Sequence, residues 1–273
     1  MAFMRARGAA LGIVLGGAVV AACSSFGSEA NPSSGPGADA SADPEASVID
    51  AAPADGTTAG AHTFASDFEG NPFDRDWDGI EAHPVAGGSI ALLPASESGN
   101  TFVRLSIPAT ADGLYESRAL RKIVPGGSKK LTYTFRARIT DANTKDGWFE
   151  IAAIAWGDLE GDRTHVGLRI YKLEASGAGF VPPSEYPTTS IAKPLAVGEW
   201  HSYTIAITPG SRSNVVEYFF DGSKLGAMTL SAKPSPTGDV ALLLGVTSMG
   251  SPGNANEYDE TVIDLDDVTY DVE

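Results

Sequence analysis

Apolar and polar residues alternate along most of the chain beyond residue 63. Between Leu131 and Ile139 every second residue is apolar, and the residues between them are threonine or arginine. Residues 164–172 and 200–208 show the same period of two. Successive side chains of a strand point to opposite faces of a sheet, so this pattern predicts half-buried β-strands. Further strands are predicted at 89–93, 101–107, 114–124, 148–156, 214–222, 224–230, 239–247 and 260–272.

The predicted strands indicate an all-β fold. Asp221-Gly222 is a hairpin signal between two of them. No amphipathic helix longer than about two turns is visible, and no repeat has the spacing of propeller blades. About a dozen strands within residues 63–273 predict a two-sheet antiparallel β-sandwich of the jelly-roll type. A barrel or a propeller is the alternative.

The first 22 residues have the pattern of a signal peptide. Arg5 and Arg7 precede the uncharged segment 8–22. As a helix this segment would be about 22 Å long, which is shorter than the ~30 Å hydrocarbon core of a membrane. The only cysteine of the chain, Cys23, follows directly, so no disulfide can form within the chain. In an ordinary signal peptide this cysteine would be incidental.

The residues before this cysteine offer a second interpretation. Val20-Ala21-Ala22-Cys23 resembles the lipobox of bacterial lipoproteins. The resemblance implies a lipoprotein signal peptide at 1–22 and a lipidated Cys23 that anchors the protein in a membrane through two or three acyl chains. Residues 23–62 then carry the lipid and a linker whose Ala, Ser, Gly and Pro content predicts disorder.

The residue after the cysteine bears on localisation. In bacterial lipoproteins an aspartate there commonly marks retention at the inner membrane, whereas Ser24 stands here. We therefore expect an exported outer-membrane lipoprotein that faces the periplasm or the cell surface. The formal net charge of −16 argues against nucleic acid and anionic headgroups as partners. It is compatible with neutral sugars, cations or basic proteins.

Five segments beyond residue 63 carry a further resemblance: SDFEG, GWFEIAAIAW, GEWHSYTIAI, VEYFFDGSKLG and VIDLDDVTYDV. They resemble the concanavalin A-like lectin/glucanase superfamily, and the laminin G-like modules within it are the most similar group. The most specific piece is Trp200 and Tyr203 before the FFDG hairpin. The superfamily implies a β-sandwich over residues 63–273. It includes lectins, glycosidases, polysaccharide lyases and adhesion modules, so it does not decide function.

The catalytic signature of the glucanases is incomplete in this sequence. Their retaining mechanism needs two carboxylates about 5–5.5 Å apart, which the family supplies as Glu-x-Asp-x-x-Glu. Here Glu150 is followed by Ala152 and Ala155 at the other two positions. Residues 114–122 offer tyrosine and arginine for lyase chemistry, yet they lack recognisable alginate-lyase signatures. The four histidines have no zinc-ligand spacing. We therefore name no catalytic residue from the sequence.

Aromatic rings and planar polar groups are the side chains that sugar recognition needs. Trp148, Glu150 and Trp156 share one parity on the strand 148–156. Arginine and tyrosine side chains occupy the polar face of two other strands, and all would form one patch if these strands were neighbours. The alternative places both tryptophans in the core, because Ala152 and Ile154 share their parity. The candidate ligand-binding residues are Trp148, Glu150, Trp156, Arg136, Arg138, Arg169 and Tyr171.

The last strand is predicted to contain a β-bulge. Apolar residues fall on odd positions up to Leu265 but on even positions from Val268, so the phase slips between them. Many β-sandwich carbohydrate modules bind structural calcium between the first and last strands, and the resemblance implies such a site here. Its ligands would be Asp67, Glu69, Asp266 and Asp267, with Asp264 as a further candidate. The alternative is that these acids are exposed at strand ends.

These observations predict a lipid-anchored binding or adhesion module of the cell envelope, with carbohydrate as the expected ligand. An envelope or extracellular protein is the other partner that we consider. The alternatives are a polysaccharide-degrading enzyme, either a glycosidase or a lyase, with an unrecognised active site, and a purely structural envelope lipoprotein.

Overall fold

The computed structural model consists almost entirely of antiparallel strands. It describes residues 62–69, 75–83, 90–109, 117–141, 147–159, 163–171, 174–181, 188, 193–250 and 259–273. The described residues form β1 (Phe64–Ser66), β2 (Gly79–His83), β3 (Ala91–Glu97), β4 (Asn100–Ile107), β5 (Ser117–Pro125), β6 (Leu131–Asp141), β7 (Trp148–Gly157), β8 (Arg163–Tyr171), β9 (Glu174–Phe180), β10 (Lys193–Pro194), β11 (Trp200–Thr208), β12 (Ser213–Phe220), β13 (Ser223–Ser231), β14 (Asp239–Gly250) and β15 (Thr261–Val272).

The strands form two antiparallel sheets. Sheet A has the order β13-β12-β11-β6-β15-β4-β3, and β1 also pairs with β15. Sheet B has the order β10-β9-β8-β7-β14-β5-β2. Tyrosine hydroxyls of sheet A donate hydrogen bonds to backbone carbonyls of sheet B, for example Tyr218 to Ala178 at 2.9 Å and Tyr133 to Leu243 at 3.1 Å. The predicted two-sheet β-sandwich is confirmed.

The main core lies between the two sheets and is lined by residues of β1, β3–β9 and β11–β15. On β6 the buried and half-buried residues alternate along almost the whole strand, as its period of two predicted. A second, smaller cluster lies on the opposite face of sheet B, which we call the non-core face. Its buried members are Ala119, Ala153, Ala155, Ala241 and Leu243.

Four strands were not predicted: β1, β2, β9 and β10. Two of them are very short, and β9 contains two glycines, a residue that weakens a strand in isolation. Packing explains one of these glycines. A Cβ atom at Gly177 would lie 2.3 Å from the ring of Tyr218, so the tyrosine of sheet A reaches its place only because residue 177 has no side chain.

The predicted bulge in the last strand is confirmed. The register between β15 and β6 shifts between Asp266 and Thr269, and Asp267 has a φ of 47°. The predicted signal peptide, Cys23 and the linker up to residue 61 lie outside the described residues. Among the described residues, no helix has the length and apolar character needed to cross a membrane.

Candidate functional site

A cluster of polar and aromatic side chains lies on the non-core face of sheet B, where β7, β8 and β14 run side by side. A register shift between Glu150 and Ala153 determines which residues of β7 belong to it. Before this irregularity Glu150 points to the non-core face. After it the even-numbered residues, including Ile154 and Trp156, point into the main core. The site cluster consists of Trp148, Glu150, His165, Arg169, Tyr171 and Thr247.

Glu150 is the centre of this cluster. It is only 1% exposed. The Thr247 hydroxyl donates a hydrogen bond of 2.8 Å to its Oε1, and His165 Nε2 lies 3.4 Å from the same oxygen. The carboxylate lies over Gly167, where a Cβ atom would be 2.4 Å from Glu150 Cδ. The missing side chain at residue 167 therefore creates the space that the carboxylate occupies.

Arg169 completes the charge balance of the cluster. It is directly opposite Glu150 in the register of β7 and β8. Its guanidinium carbon lies 3.9 Å from the centre of the Trp148 ring, so the two planar groups are in contact. Burial lowers the pKa of Arg169, while the nearby charge of Glu150 raises it. Its buried Nε has no hydrogen-bond partner among the described residues.

The aromatic side of the cluster is formed by Trp148 and Tyr171. The two residues are opposite each other in the β7–β8 register, and each is partly exposed. The site thus combines a carboxylate, an imidazole, a guanidinium and two aromatic rings on one sheet face. These groups can transfer protons, bind a carboxylate and stack on a sugar ring.

The other predicted ligand-binding residues do not join this cluster. Trp156 is 0% exposed in the main core, and its indole nitrogen donates a hydrogen bond of 2.9 Å to the Pro234 carbonyl. Arg136 and Arg138 lie on the outer face of sheet A, beside Trp200. The single patch depended on these strands being neighbours, and it does not form in full because β6 belongs to the opposite sheet from β7 and β8. The alternative that both tryptophans lie in the core is confirmed for Trp156 but not for Trp148.

The arginines of sheet A are engaged by acids of β15. Arg138 donates a hydrogen bond of 2.7 Å to Asp264, which is 0% exposed and also accepts two hydrogen bonds from Arg104. Arg136 donates one of 2.8 Å to Asp267. These ion pairs tie neighbouring strands of sheet A together.

The remaining acids proposed for calcium each accept a protein hydrogen bond as well. Asp67 accepts one from the backbone of Glu69 at 3.1 Å, and Glu69 accepts one from the backbone of Thr101 at 3.0 Å. Asp266 accepts one from the Asn100 side chain at 2.8 Å. Within the described ranges no group of three or more metal-ligating side chains is assembled. Each of the four carboxylates named from the sequence therefore already accepts a hydrogen bond from an N–H group of the protein.

Sequence reasoning missed two residues of the site cluster, His165 and Thr247, and the glycine beneath it, Gly167. His165 has the same parity on β8 as Arg169 and Tyr171, which is a signal that could have identified it. Gly167 lies between them on the same face. Thr247 could not be found in this way, because only the pairing of β14 with β7 brings it to Glu150.

Comparisons with known proteins concern the fold. No protein-family model and no curated protein matches the chain. A mutant of the alginate lyase Aly36B in complex with alginate tetrasaccharide has a TM-score of 0.52 at 11% identity, covering 77% of this chain and 93% of that chain. Aly36B itself has a TM-score of 0.50 at 9% identity, covering 67% and 86%.

A third solved structure, LamAcat from Zobellia galactanivorans, has a TM-score of 0.48 at 15% identity and covers 77% of this chain and 97% of that chain. At identities of 9% and 11%, the feature that the two Aly36B structures share with this chain is the β-sandwich fold. The chain therefore has the fold of solved β-sandwich proteins that include alginate lyases.

Proposed function

We propose that this protein binds an acidic polysaccharide on the non-core face of sheet B and cleaves it by β-elimination. The observation that carries the proposal is the contact between Glu150 and His165 beside Arg169. Two similar folds belong to a protein named alginate lyase, one of them in complex with an alginate tetrasaccharide.

The environment of Arg169 supports an acidic ligand. The chain carries a net charge of −16, and Arg163 is engaged by Glu81. The Arg169 guanidinium, in contrast, stacks on the Trp148 ring, and its Nε has no hydrogen-bond partner among the described residues. A uronate carboxylate is the sugar group that would be attracted to the guanidinium of Arg169.

The chemistry follows from the residue types. In β-elimination a base removes the proton next to the uronate carboxylate, a carbon–carbon double bond forms, and the glycosidic C–O bond breaks with its electrons on the leaving oxygen. That oxygen then takes a proton. His165, oriented by Glu150, is the candidate base. Arg169 would stabilise the charge that develops on the carboxylate, and the Tyr171 hydroxyl is the candidate acid.

The number of carboxylates favours elimination over hydrolysis. Glycosidases use two carboxyl groups separated by about 5–5.5 Å or about 6.5–9.5 Å. The described part of this cluster contains one, Glu150. Glu81, on the same face, has both of its oxygens in contact with Arg163.

Binding without turnover is the second candidate. The contact between Arg169 and Trp148 provides a flat, charged surface that could hold a glycan without chemistry. In that case the protein would be the envelope binding or adhesion module that the sequence predicted. In both cases we propose that Cys23 carries the lipid that attaches the protein to the outer membrane.

The two candidates predict different results when the purified chain is incubated with alginate. A lyase produces the ultraviolet absorbance of a conjugated double bond together with new reducing ends. A hydrolase produces reducing ends alone. A binding module gives neither product, but it migrates more slowly in a gel that contains alginate. A neutral β-glucan, which has no carboxylates, is the control polysaccharide.

Variants assign the activity to the cluster. His165→Ala and Glu150→Gln should each lower turnover at least about tenfold, because general acid–base groups contribute roughly 10²–10⁴. His62→Ala is the matched control, because it removes a histidine that pairs with a carboxylate, Asp271, at an exposed site. Equal loss in all three variants would contradict the assignment, and absence of both products in the parent would exclude the lyase.

A further inference from the structure

An ion pair crosses the non-core face of sheet B next to the site cluster. Arg163 of β8 and Glu81 of β2 contact each other through both nitrogens of the guanidinium and both oxygens of the carboxylate, with 2.9 Å between Nη1 and Oε2. Both side chains are mostly buried. We call this ion pair the bridge.

The bridge requires that this face of the sheet is concave. Three strands, β7, β14 and β5, lie between β8 and β2. Four inter-strand steps of about 4.8 Å amount to about 19 Å across the sheet. The pairings also place Glu81 level with Gly245 of β14 and Arg163 just beyond the level of Val240, so the bridge crosses this face diagonally. The separation is more than an arginine and a glutamate can span over a flat surface, so the sheet curves around a groove that the bridge crosses.

Small side chains form the floor beneath the bridge. The second buried cluster consists of four alanines and Leu243, all at most 3% exposed although they face away from the main core. Ile123 and Leu159 pack against this floor. Arg121 Nε lies 4.0 Å from Glu81 Oε2, which adds a third charged side chain to the cover. The groove is therefore filled at this end.

The filled end lies close to the proposed reaction centre. Arg163 is two residues before His165 on the same strand and the same face, a separation of about 7 Å at ~3.3 Å per residue. This distance is on the scale of a single sugar unit. In the other direction along β8 the face continues past Arg169 to Tyr171, whose partner Trp148 is partly exposed.

We infer that the Glu81–Arg163 bridge closes one end of the groove and restricts the site to the ends of polysaccharide chains. This inference rests on the proposed function. A chain bound along β8 would extend from His165 toward Trp148 and would meet the bridge on the other side after a short stretch. The expected activity is the release of short products from a chain end, with the bridge as the specificity-determining element.

The test compares products early in the reaction with alginate. The parent should release mono- or disaccharides from the start while the viscosity of the solution falls slowly. Glu81→Gln combined with Arg163→Gln removes both charges together and leaves neither one buried alone. This double variant should produce a ladder of intermediate lengths and a faster loss of viscosity for each bond cleaved. Glu217→Gln with Lys224→Gln, an ion pair of sheet A, is the matched control.

The outcomes separate the two proposals. A ladder from the parent itself would overturn the role of the bridge and leave the lyase intact. If the parent does not cleave, the affinity for alginate oligosaccharides of increasing length decides. If the affinity of the parent stops rising at short oligosaccharides while that of the double variant keeps rising with longer ones, the closed end is supported. The same dependence of affinity on length in both proteins contradicts it. A parent that neither binds nor cleaves would overturn both proposals.

Discussion

The buried carboxylate of Asp264 should be a large single contributor to the stability of sheet A. It is 0% exposed and accepts four hydrogen bonds, at 2.7 and 2.9 Å from Arg104 and at 2.7 and 3.2 Å from Arg138. In Asp264→Asn the amide has one acceptor oxygen, and its NH₂ group faces the guanidinium groups. Oδ2 accepts three of the four bonds and Oδ1 accepts one, so an asparagine whose oxygen takes the Oδ2 position loses one bond outright. The negative charge that strengthens the other three is lost as well.

The expected cost follows from these contacts. A hydrogen bond to a charged group contributes about 1.5–3 kcal/mol, so the lost bond alone costs about that much, and loss of the buried charge weakens the remaining three bonds. Arg104 is 41% exposed and can regain water, whereas Arg138 is 13% exposed and cannot do so fully. We therefore expect Asp264→Asn to lower the free energy of unfolding by about 3 kcal/mol, at the lower end of what breaking a buried ion pair costs.

Urea denaturation measures this change, with the slope of the transition checked for a change in denatured-state exposure. The matched control is Asp267→Asn on the same strand, where the pair with Arg136 has side chains 48% and 43% exposed. Exposed pairs contribute about 0–1 kcal/mol, and asparagine tolerates the positive φ at this position. A loss below about 1 kcal/mol in Asp264→Asn, or equal losses in the two variants, would refute the reasoning from burial.

Four further predictions concern the site, the bulge, calcium and the anchor. Gly167→Ala should lower turnover or glycan affinity at least about tenfold by displacing Glu150, whereas Gly238→Ala, where a Cβ would meet nothing within 4 Å, should leave both unchanged. Burial raises the pKa of Asp266 to about 6, above the ~3.9 of an unfolded chain, so the folded state binds more protons. The free energy of unfolding should therefore fall as pH rises from about 4 to about 6, and Asp266→Asn should flatten this part of the melting-temperature profile. If the four acids named from the sequence bind calcium, the ion should raise the melting temperature and a chelator should lower it; identical melting curves would contradict the site. Cys23→Ser should abolish both labelling with a radioactive fatty acid and recovery with membranes, and a variant that still fractionates like the parent would exclude the lipid anchor.

The sequence by itself determined the strands of the two sheets that bury one face. Their period of two is a direct consequence of side chains pointing alternately to core and solvent, as β6 illustrates. The bulge of β15 was readable for the same reason, because the apolar positions change parity on either side of Asp266 and Asp267. β9 was not readable, because its Gly177 is required by the ring of Tyr218 on the other sheet.

Only the tertiary structure decided which residues share a site. The irregularity in β7 is hidden in the sequence, because Ala153 and Ala155 are buried on the non-core face while Ile154 and Trp156 are buried in the core. Because this segment is apolar on both faces, apolar and polar residues do not alternate in it, and a shift in register cannot be recognised from the sequence. Glu150 and Trp156, which have the same parity, are therefore predicted to lie on one face. Strand order is likewise a long-range property: it separates Arg136 and Arg138 from Arg169, and it brings Thr247 and the Glu81–Arg163 bridge to the groove around Glu150.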